Sequence, residues 1–275
     1  MTSLPERLRA MQFVPSERTS VMIEAALAGG KVAMRYFTAE DPLEMIEKAP
    51  RDYQLTADVE TERAIAAVLA ARFSDAGISG EEGTSERKGS GVGCFVIDPI
   101  DGTSNFAFRI PFFAQVVSYV EADSIVSGVV YDPVRDELFV AEKGRGAYLN
   151  GKRLPPLVTV APERSVIGVG LPIPGQVRSV AVDRYQGALT KVIETAAVTR
   201  RLGSAALAVA YVAAGRHHAC FEDGLDILDY LASALMVREC GGVVTDFHGN
   251  EQNGNGAVLA SVQSLHPWLV SLFAG

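Results

Sequence analysis

The chain reads as an α+β half over residues 1–153 joined to an α/β half over residues 154–275. Three patterns point there. Apolar residues at helical spacing open it, at Val21, Ala25, Ala28, Val32 and Tyr36. Four β-rich runs then follow one another between residues 114 and 152, separated by turn signals. Beyond "RLPP" at 153–156, strands and helices alternate.

The first helix spans residues 17–37, with Ser16 placed to cap it. A second runs from Val59 to Ala76, with Asp58 as N-cap and Gly77 as stop. "GISGEEG" and "GCFVIDPI" are short strands that end in acids. The meander is built of "AQVVSYVE", "IVSGVVYD", "ELFVAEKG" and "GAYLNGK", with "DPVRDE" and "NGK" turning the chain. In the second half come the strand "SVIGVG", a helix near 180–196, "VTRRLG", and a helix from Ser204. "HHACFEDG", a helix from Asp229 to Cys240, "GVVTDF", "AVLASV" and a last helix near 264–273 complete it.

Hydrophobic residues make up 48% of the chain, enough for a large core and too many for disorder. A net charge of −8 argues against partners that need a basic face, such as nucleic acid or an anionic membrane. Cys94, Cys220 and Cys240 form no CxxC pair and read as reduced structural thiols. The first residues carry charges where a signal peptide needs an apolar core. The longest uncharged apolar run, residues 202–215, is too short to span a bilayer. A soluble cytoplasmic protein is the expectation.

The chemistry concentrates in acids at element ends, where loops expose side chains on a rigid frame. Glu81 and Glu82 end one strand, and Asp98 ends the next, with Asp101 three residues on. Asp58 and Asp229 open helices. In "DPIDGT", Pro99 fixes one φ and Gly102 permits a tight turn. Such a turn can aim both carboxylates and the Ile100 carbonyl at one point, as a hard cation such as Mg²⁺ requires. Thr103 supplies a hydroxyl, and residues 103–107 can start a short helix. Each feature also has a plainer reading: a β-turn, a solvated Glu pair, two N-caps. The conjunction of four acidic turns favours a metal cage. His217 and His218, adjacent in a strand, point to opposite faces and read as structural rather than as zinc ligands.

These residues resemble the inositol monophosphatase family of Mg²⁺-dependent, lithium-sensitive phosphatases. The resemblance runs from Lys48 to Ala260. "DPIDGTSNF" is similar to the family's first signature and "GEE" to its metal-binding glutamate segment. "GVVYDPVRDELFVAEKGRGAYLNGKRL" resembles its meander, and "RRLGSAALAVAYVAAG" its substrate-side helix. "LDILDYLASALMVRECGGVVTD" resembles its second signature.

The resemblance implies a layered αβαβα sandwich of the inositol monophosphatase and fructose bisphosphatase type. It also implies two or three Mg²⁺ ions per active site and a homodimer. Glu81, Asp98 and the Ile100 carbonyl would hold the first ion; Asp98, Asp101 and Asp229 would hold the second. Thr103 and Asp58 would orient and deprotonate the attacking water. Gly102, Gly203, Ser204, Ala205 and Glu222 would meet the substrate, together with Asp98, Thr103 and Asp229. Lys48 and Glu82 are further candidates near the acidic loops.

Two positions depart from the family pattern. Leu228 stands where the family usually has Trp, and Ala232-Ser233 where it has Ala-Gly. Neither removes a ligand, but the first removes bulk beside the metal loop. The implied activity is hydrolysis of a small phosphate monoester, an inositol monophosphate or similar polyol phosphate. Histidinol phosphate, fructose 1,6-bisphosphate and 3′-phosphoadenosine nucleotides or NADP are alternatives. A non-catalytic regulatory binding protein is the alternative of another class.

Overall fold

The computed structural model of the chain describes residues 14–39, 43–49, 52–122, 124–251, 254 and 256–274, and only the backbone of 45–49 and 52–54. Helix α1 (Glu17–Phe37) starts where Ser16 Oγ accepts the Thr19 N–H at 3.2 Å. A hairpin of β1 (Met45–Ala49) and β2 (Asp52–Leu55) leads into α2 (Thr56–Arg72). The chain then builds a seven-stranded sheet in sequence order. Its strands are β3 (Gly77–Gly80), β4 (Gly93–Asp101), β5 (Ala114–Glu121), β6 (Ser124–Asp132), β7 (Glu137–Glu142), β8 (Gly146–Leu149) and β9 (Lys152–Arg153). β3 pairs parallel to β4, and every other neighbour is antiparallel. The short α3 (Thr103–Ala107) lies between β4 and β5.

The second sheet holds β10 (Val166–Val169), β11 (Val198–Arg200), β12 (Ala219–Glu222), β13 (Val243–Thr245) and β14 (Val258–Ser261), in the order β11-β10-β12-β14-β13. Helices α4 (Val182–Thr195), α5 (Ala205–Ala213), α6 (Ile227–Glu239) and α7 (His266–Phe273) complete the chain.

Strand alternation makes the layers. On the first sheet Val117, Val129, Leu138 and Val140 pack against α1 and α2. Their neighbours Val116, Val130, Phe139 and Ala141 pack against α5 and α6. That second core also takes in Cys220, Val244 and Val258 from the other sheet. α5 ("AALAVAYVA") is apolar nearly all round, as a helix between two sheets must be. On the outer face of the second sheet, α4 and α7 bury Tyr185, Val192, Leu269 and Phe273 with Phe221 and Phe247. The result is the layered αβαβα sandwich that the resemblance implied.

Two helix starts differ from the sequence reading. α2 begins at Thr56 and ends at Arg72, and Gly77 opens β3 rather than stopping the helix. Asp58 is its third residue, and its carboxylate reaches back to the Leu55 N–H at 2.8 Å. α6 begins at Ile227 with Asp226 as N-cap, and Asp229 accepts the Asp226 N–H at 2.8 Å. Both acids therefore hold the reciprocal position of a capping box, one turn inside the cap itself. His217 and His218 lie just before β12 rather than within it, and both are held by the backbone: His218 Nδ1 accepts the Val166 N–H at 2.9 Å, and His217 Nδ1 lies 3.3 Å from the Ala208 carbonyl. The three cysteines are free thiols. No helix among the described residues is long and apolar enough to cross a membrane.

Candidate active site

A cleft of about 190 Å³ opens where β4, α3, α5 and α6 meet. Glu81, Asp98, Asp101, Thr103, Glu222 and Asp229 line it, with Ile100, Gly102, Gly203, Ala205, Arg201 and Leu225 between them.

The "DPIDGT" segment is built as a bulge. On β4 the ladder to β5 steps from Asp98↔Val116 to Asp101↔Ala114, so three residue steps oppose two. Pro99 has no N–H to donate there, which suits an interrupted ladder. Gly102 then turns the chain into α3 at φ 96°, a left-handed conformation open to glycine. Thr103 Oγ donates to the Ile100 carbonyl at 3.2 Å. Burial of Leu55, Ala57, Ile100, Phe106 and Phe113 in one cluster fixes the start of α2 under this loop.

Electrostatics sets the cleft apart. Burial pushes the Asp98 carboxyl well above the usual carboxylate range, and the Glu81, Asp101 and Asp229 carboxylates push it further. Its Oδ1 is buried with no hydrogen-bond partner. Asp229 is raised in the same way, by burial and then by Asp101 and Glu81. Burial raises Asp101 to about 6, against hydrogen bonds that favour its charge. Those come from the Ser204 hydroxyl and from the Ala205 and Ala206 N–H groups, the latter two at 3.0 Å. Glu222 is raised to about 7 by burial, offset in part by the Arg201 charge. Gln176 Nε2 donates to it at 3.3 Å.

Four carboxylates that repel one another, one with a bare buried oxygen, form a donor set of the kind a hard divalent cation takes. Among the described residues no three Asp, Glu, His or Cys side chains are already gathered into a metal cluster. Asp101 is turned instead onto the start of α5.

The remaining candidates are placed apart. Ser204 is the buried N-cap of α5, behind Asp101. Asp58 is buried at the start of α2 beneath the loop and does not line the cleft. Glu82 does not line it either; its N–H donates to Glu62 at 2.8 Å. The side chain of Lys48 lies outside the described residues. Asp223 ties down the 178–179 turn, accepting the Arg178 and Ser179 N–H groups at 2.9 Å. Leu228 is half-buried off the cleft, and Leu225 lines it instead.

In the sequence Arg200 and Arg201 flank the substrate-side helix, but nothing there pairs Arg201 with Glu222 in the cleft or brings Gln176 to the same carboxylate. Nothing local signals Gln176, since 46 positions separate it from its partner.

The model of the inositol monophosphatase family matches residues 14–274. The chain belongs to this family. Nus factor SuhB of Pseudomonas aeruginosa is 38% identical over 237 residues, 85% of this chain and 86% of that protein. An inositol-1-monophosphatase of Rhizobium meliloti is 39% identical over 230 residues, 84% and 85% of the two chains. Among solved structures, the extragenic suppressor protein SuhB of Bartonella henselae superposes with a TM-score of 0.88 at 36% identity. It covers 94% of this chain and 98% of its own. Of the residues that line the cleft, Asp98, Ile100, Asp101, Gly102 and Thr103 belong to the segment that resembles the first signature.

Proposed function

We propose that the chain is a metal-dependent phosphatase acting on a small phosphate monoester, an inositol monophosphate or a similar polyol phosphate. The observation that carries the reading is Asp98: a buried carboxylate with an unpartnered oxygen, facing three more carboxylates across one small cleft. Such a site is electrostatically unfavourable until cations enter it.

Glu81, Asp98, Asp101, Asp229 and the Ile100 carbonyl are the groups that would hold Mg²⁺. When bound, the ions would neutralise the phosphate's charge and acidify the attacking water. Thr103 Oγ, which lines the cleft, would orient that water, and Asp58, buried behind the loop, would take up its proton by way of the Thr103 hydroxyl rather than at the cleft itself. Glu222 accepts hydrogen bonds from hydroxyls of the leaving alcohol, beside the start of α5 at Gly203, Ser204 and Ala205. The Arg201 guanidinium balances Glu222. The single helix layer of α5 and α6, packed between the two sheets, supports this arrangement, which suits a reaction that depends on positioning and charge neutralisation. The family resemblance extends the reading to a magnesium-dependent, lithium-sensitive homodimer, and a cytoplasmic location is part of the same proposal.

A second reading rests on the Nus factor name of the Pseudomonas relative: a non-catalytic partner role. The complete set of acids and the Thr103 hydroxyl favour catalysis. The test is phosphate release from inositol 1-phosphate, histidinol phosphate, fructose 1,6-bisphosphate, 3′-phosphoadenosine 5′-phosphate and NADP, with Mg²⁺ and with EDTA. Mg²⁺-dependent release from the polyol phosphate above the others is the expected result. No release from any substrate would leave the non-catalytic role.

A further inference from the structure

Glu62 is the second buried carboxylate of α2, one turn beyond Asp58, and it is completely buried. A buried charge is costly unless strong donors surround it. Here the donors come from one loop. Glu62 Oε2 accepts the Glu82 N–H at 2.8 Å. Oε1 accepts the Thr84 N–H at 2.9 Å and the Thr84 hydroxyl at 2.6 Å. The carboxylate also presses against Gly80, where any Cβ would collide with it. Glu81 thus sits between Gly80, which packs against the Glu62 carboxylate, and Glu82, whose N–H that carboxylate accepts. Its own N–H donates to the Ile97 carbonyl at 3.0 Å, one residue before Asp98.

We infer that Glu62 is a positioning residue for the metal site: its carboxylate fixes the 80–84 turn so that Glu81 faces Asp98 across the cleft. The inference rests on the metal-dependent reading above. Charge-assisted hydrogen bonds to backbone N–H groups are short and strong, and they set direction as well as distance. α2 would then carry both Asp58 and the anchor of the Glu81 turn on one buried face. The spacing of four makes that possible, because residues i and i+4 share a helix face. Groups that orient a metal ligand from behind typically change affinity by about 10–100-fold when removed.

The test is calorimetric titration of the EDTA-stripped full-length protein with Mg²⁺, alongside Mg²⁺-dependent phosphate release. Glu62→Gln keeps the size but sets an amide N–H₂ against N–H donors. It should weaken Mg²⁺ binding about tenfold. Turnover at saturating Mg²⁺ should be largely restored, and KM for substrate should change less than twofold. Because a buried change can cost folding, the exposed partner offers a gentler probe. Thr84→Val removes one donor and should weaken Mg²⁺ binding about threefold, whereas Thr84→Ser keeps the hydroxyl and should restore it.

Asp246→Asn controls for plain destabilisation. Asp246 is a buried acid that accepts the His248 and Asn250 N–H groups at 2.8 and 2.9 Å in a distant turn. That variant should lose stability with no change in Mg²⁺ affinity. Wild-type Mg²⁺ affinity in both Glu62→Gln and Thr84→Val would overturn the positioning role while leaving the phosphatase reading intact. Failure of the wild-type protein itself to bind Mg²⁺ would overturn both.

Discussion

Asp101 on β4 accepts the backbone N–H of Ala205, the first residue of α5, at 3.0 Å, although 104 positions separate them in sequence. The Ala206 N–H and the Ser204 hydroxyl join it on the same carboxylate. A negative charge at a helix N-terminus is favourable, because the first N–H groups of a helix lack intrahelical acceptors. One acid therefore belongs both to the candidate metal cleft and to the helix that the resemblance assigns to substrate hydroxyls.

Ser204→Ala tests that connection. The hydroxyl caps α5 by accepting the Leu207 N–H at 3.3 Å and also donates to Asp101. Its loss should cost about 1 kcal/mol, a usual value for an N-cap, read as a lower urea midpoint with unchanged slope. It also removes a bond that favours the charged form of Asp101, so the variant should need more Mg²⁺ at pH 6 than the wild type and almost the same at pH 8. An equal shift at both pH values would mean that Ser204 acts on the helix alone.

The acids also set the pH response of the metal-free protein. Asp101 is raised from 3.8 to about 6 by burial, and burial together with neighbouring carboxylates raises Asp98 and Asp229 well above the ordinary range. The folded state thus keeps protons that the unfolded chain has already released. Stability in EDTA should fall as pH rises from about 4 through 6 and beyond. For Asp101 alone the shift corresponds to about 3 kcal/mol. His217, His218 and His266 are held below 6.5 by burial, so they act in the opposite direction as pH rises. Asp98→Asn isolates the acids. In EDTA at pH 7.5 the variant should melt above the wild type, with a flatter pH profile, while its Mg²⁺-dependent phosphate release disappears. A variant that melts lower at pH 7.5 and still turns over would remove Asp98 from the centre of the site.

Much of this site was legible because its local chemistry is unusual. Pro99 and Gly102 bracket two aspartates, and in the fold they make the bulge and the left-handed turn that those residue types allow. The meander was equally plain, since its strands alternate strictly between two cores. Helix starts were harder. The Asp226–Asp229 spacing is a capping signature, yet the second acid alone was read as the opener. At α2 the N-cap is Leu55, which has no side-chain acceptor to advertise it. Nothing local marks Glu62, because its partners, Glu82 and Thr84, lie 20 and 22 positions away. The Asp101–α5 contact had no local signature at all, being the product of the layer order.

Gly203 marks where the two sheets' contributions touch. It adopts φ +78°, and a Cβ there would lie 2.9 Å from Asn105 Nδ2. Asn105 cannot easily yield, because that nitrogen donates to both the Phe112 and Leu202 carbonyls at 2.8 Å. Gly203→Ala should cost about 1–3 kcal/mol and raise KM by displacing the start of α5. Gly215→Ala separates the two causes. It shares a positive φ, +68°, with nothing within 4 Å of the added methyl. It should show the smaller, purely conformational cost in urea unfolding, with KM unchanged. Equal KM for the two variants would mean that the Asn105 contact does not position the substrate side.

Glu222 supplies the last prediction, through its pairing with Arg201. Burial raises Glu222 to about 7, and the Arg201 charge acts in the lowering direction. A carboxylate accepts hydrogen bonds from alcohol hydroxyls at both oxygens, whereas the protonated acid spends one oxygen as a donor. KM for a polyol phosphate should therefore fall as pH rises through 7, with a single inflection there. Glu222→Gln should flatten that profile at a raised KM. Arg201→Met removes the cation that favours ionised Glu222, so it should move the inflection to higher pH without abolishing it. Steady-state kinetics from pH 6 to 9 at saturating Mg²⁺ reads all three. An inflection that stays near 7 in Glu222→Gln would assign it to another group, and an unmoved inflection in Arg201→Met would show that the guanidinium is screened from Glu222 by solvent.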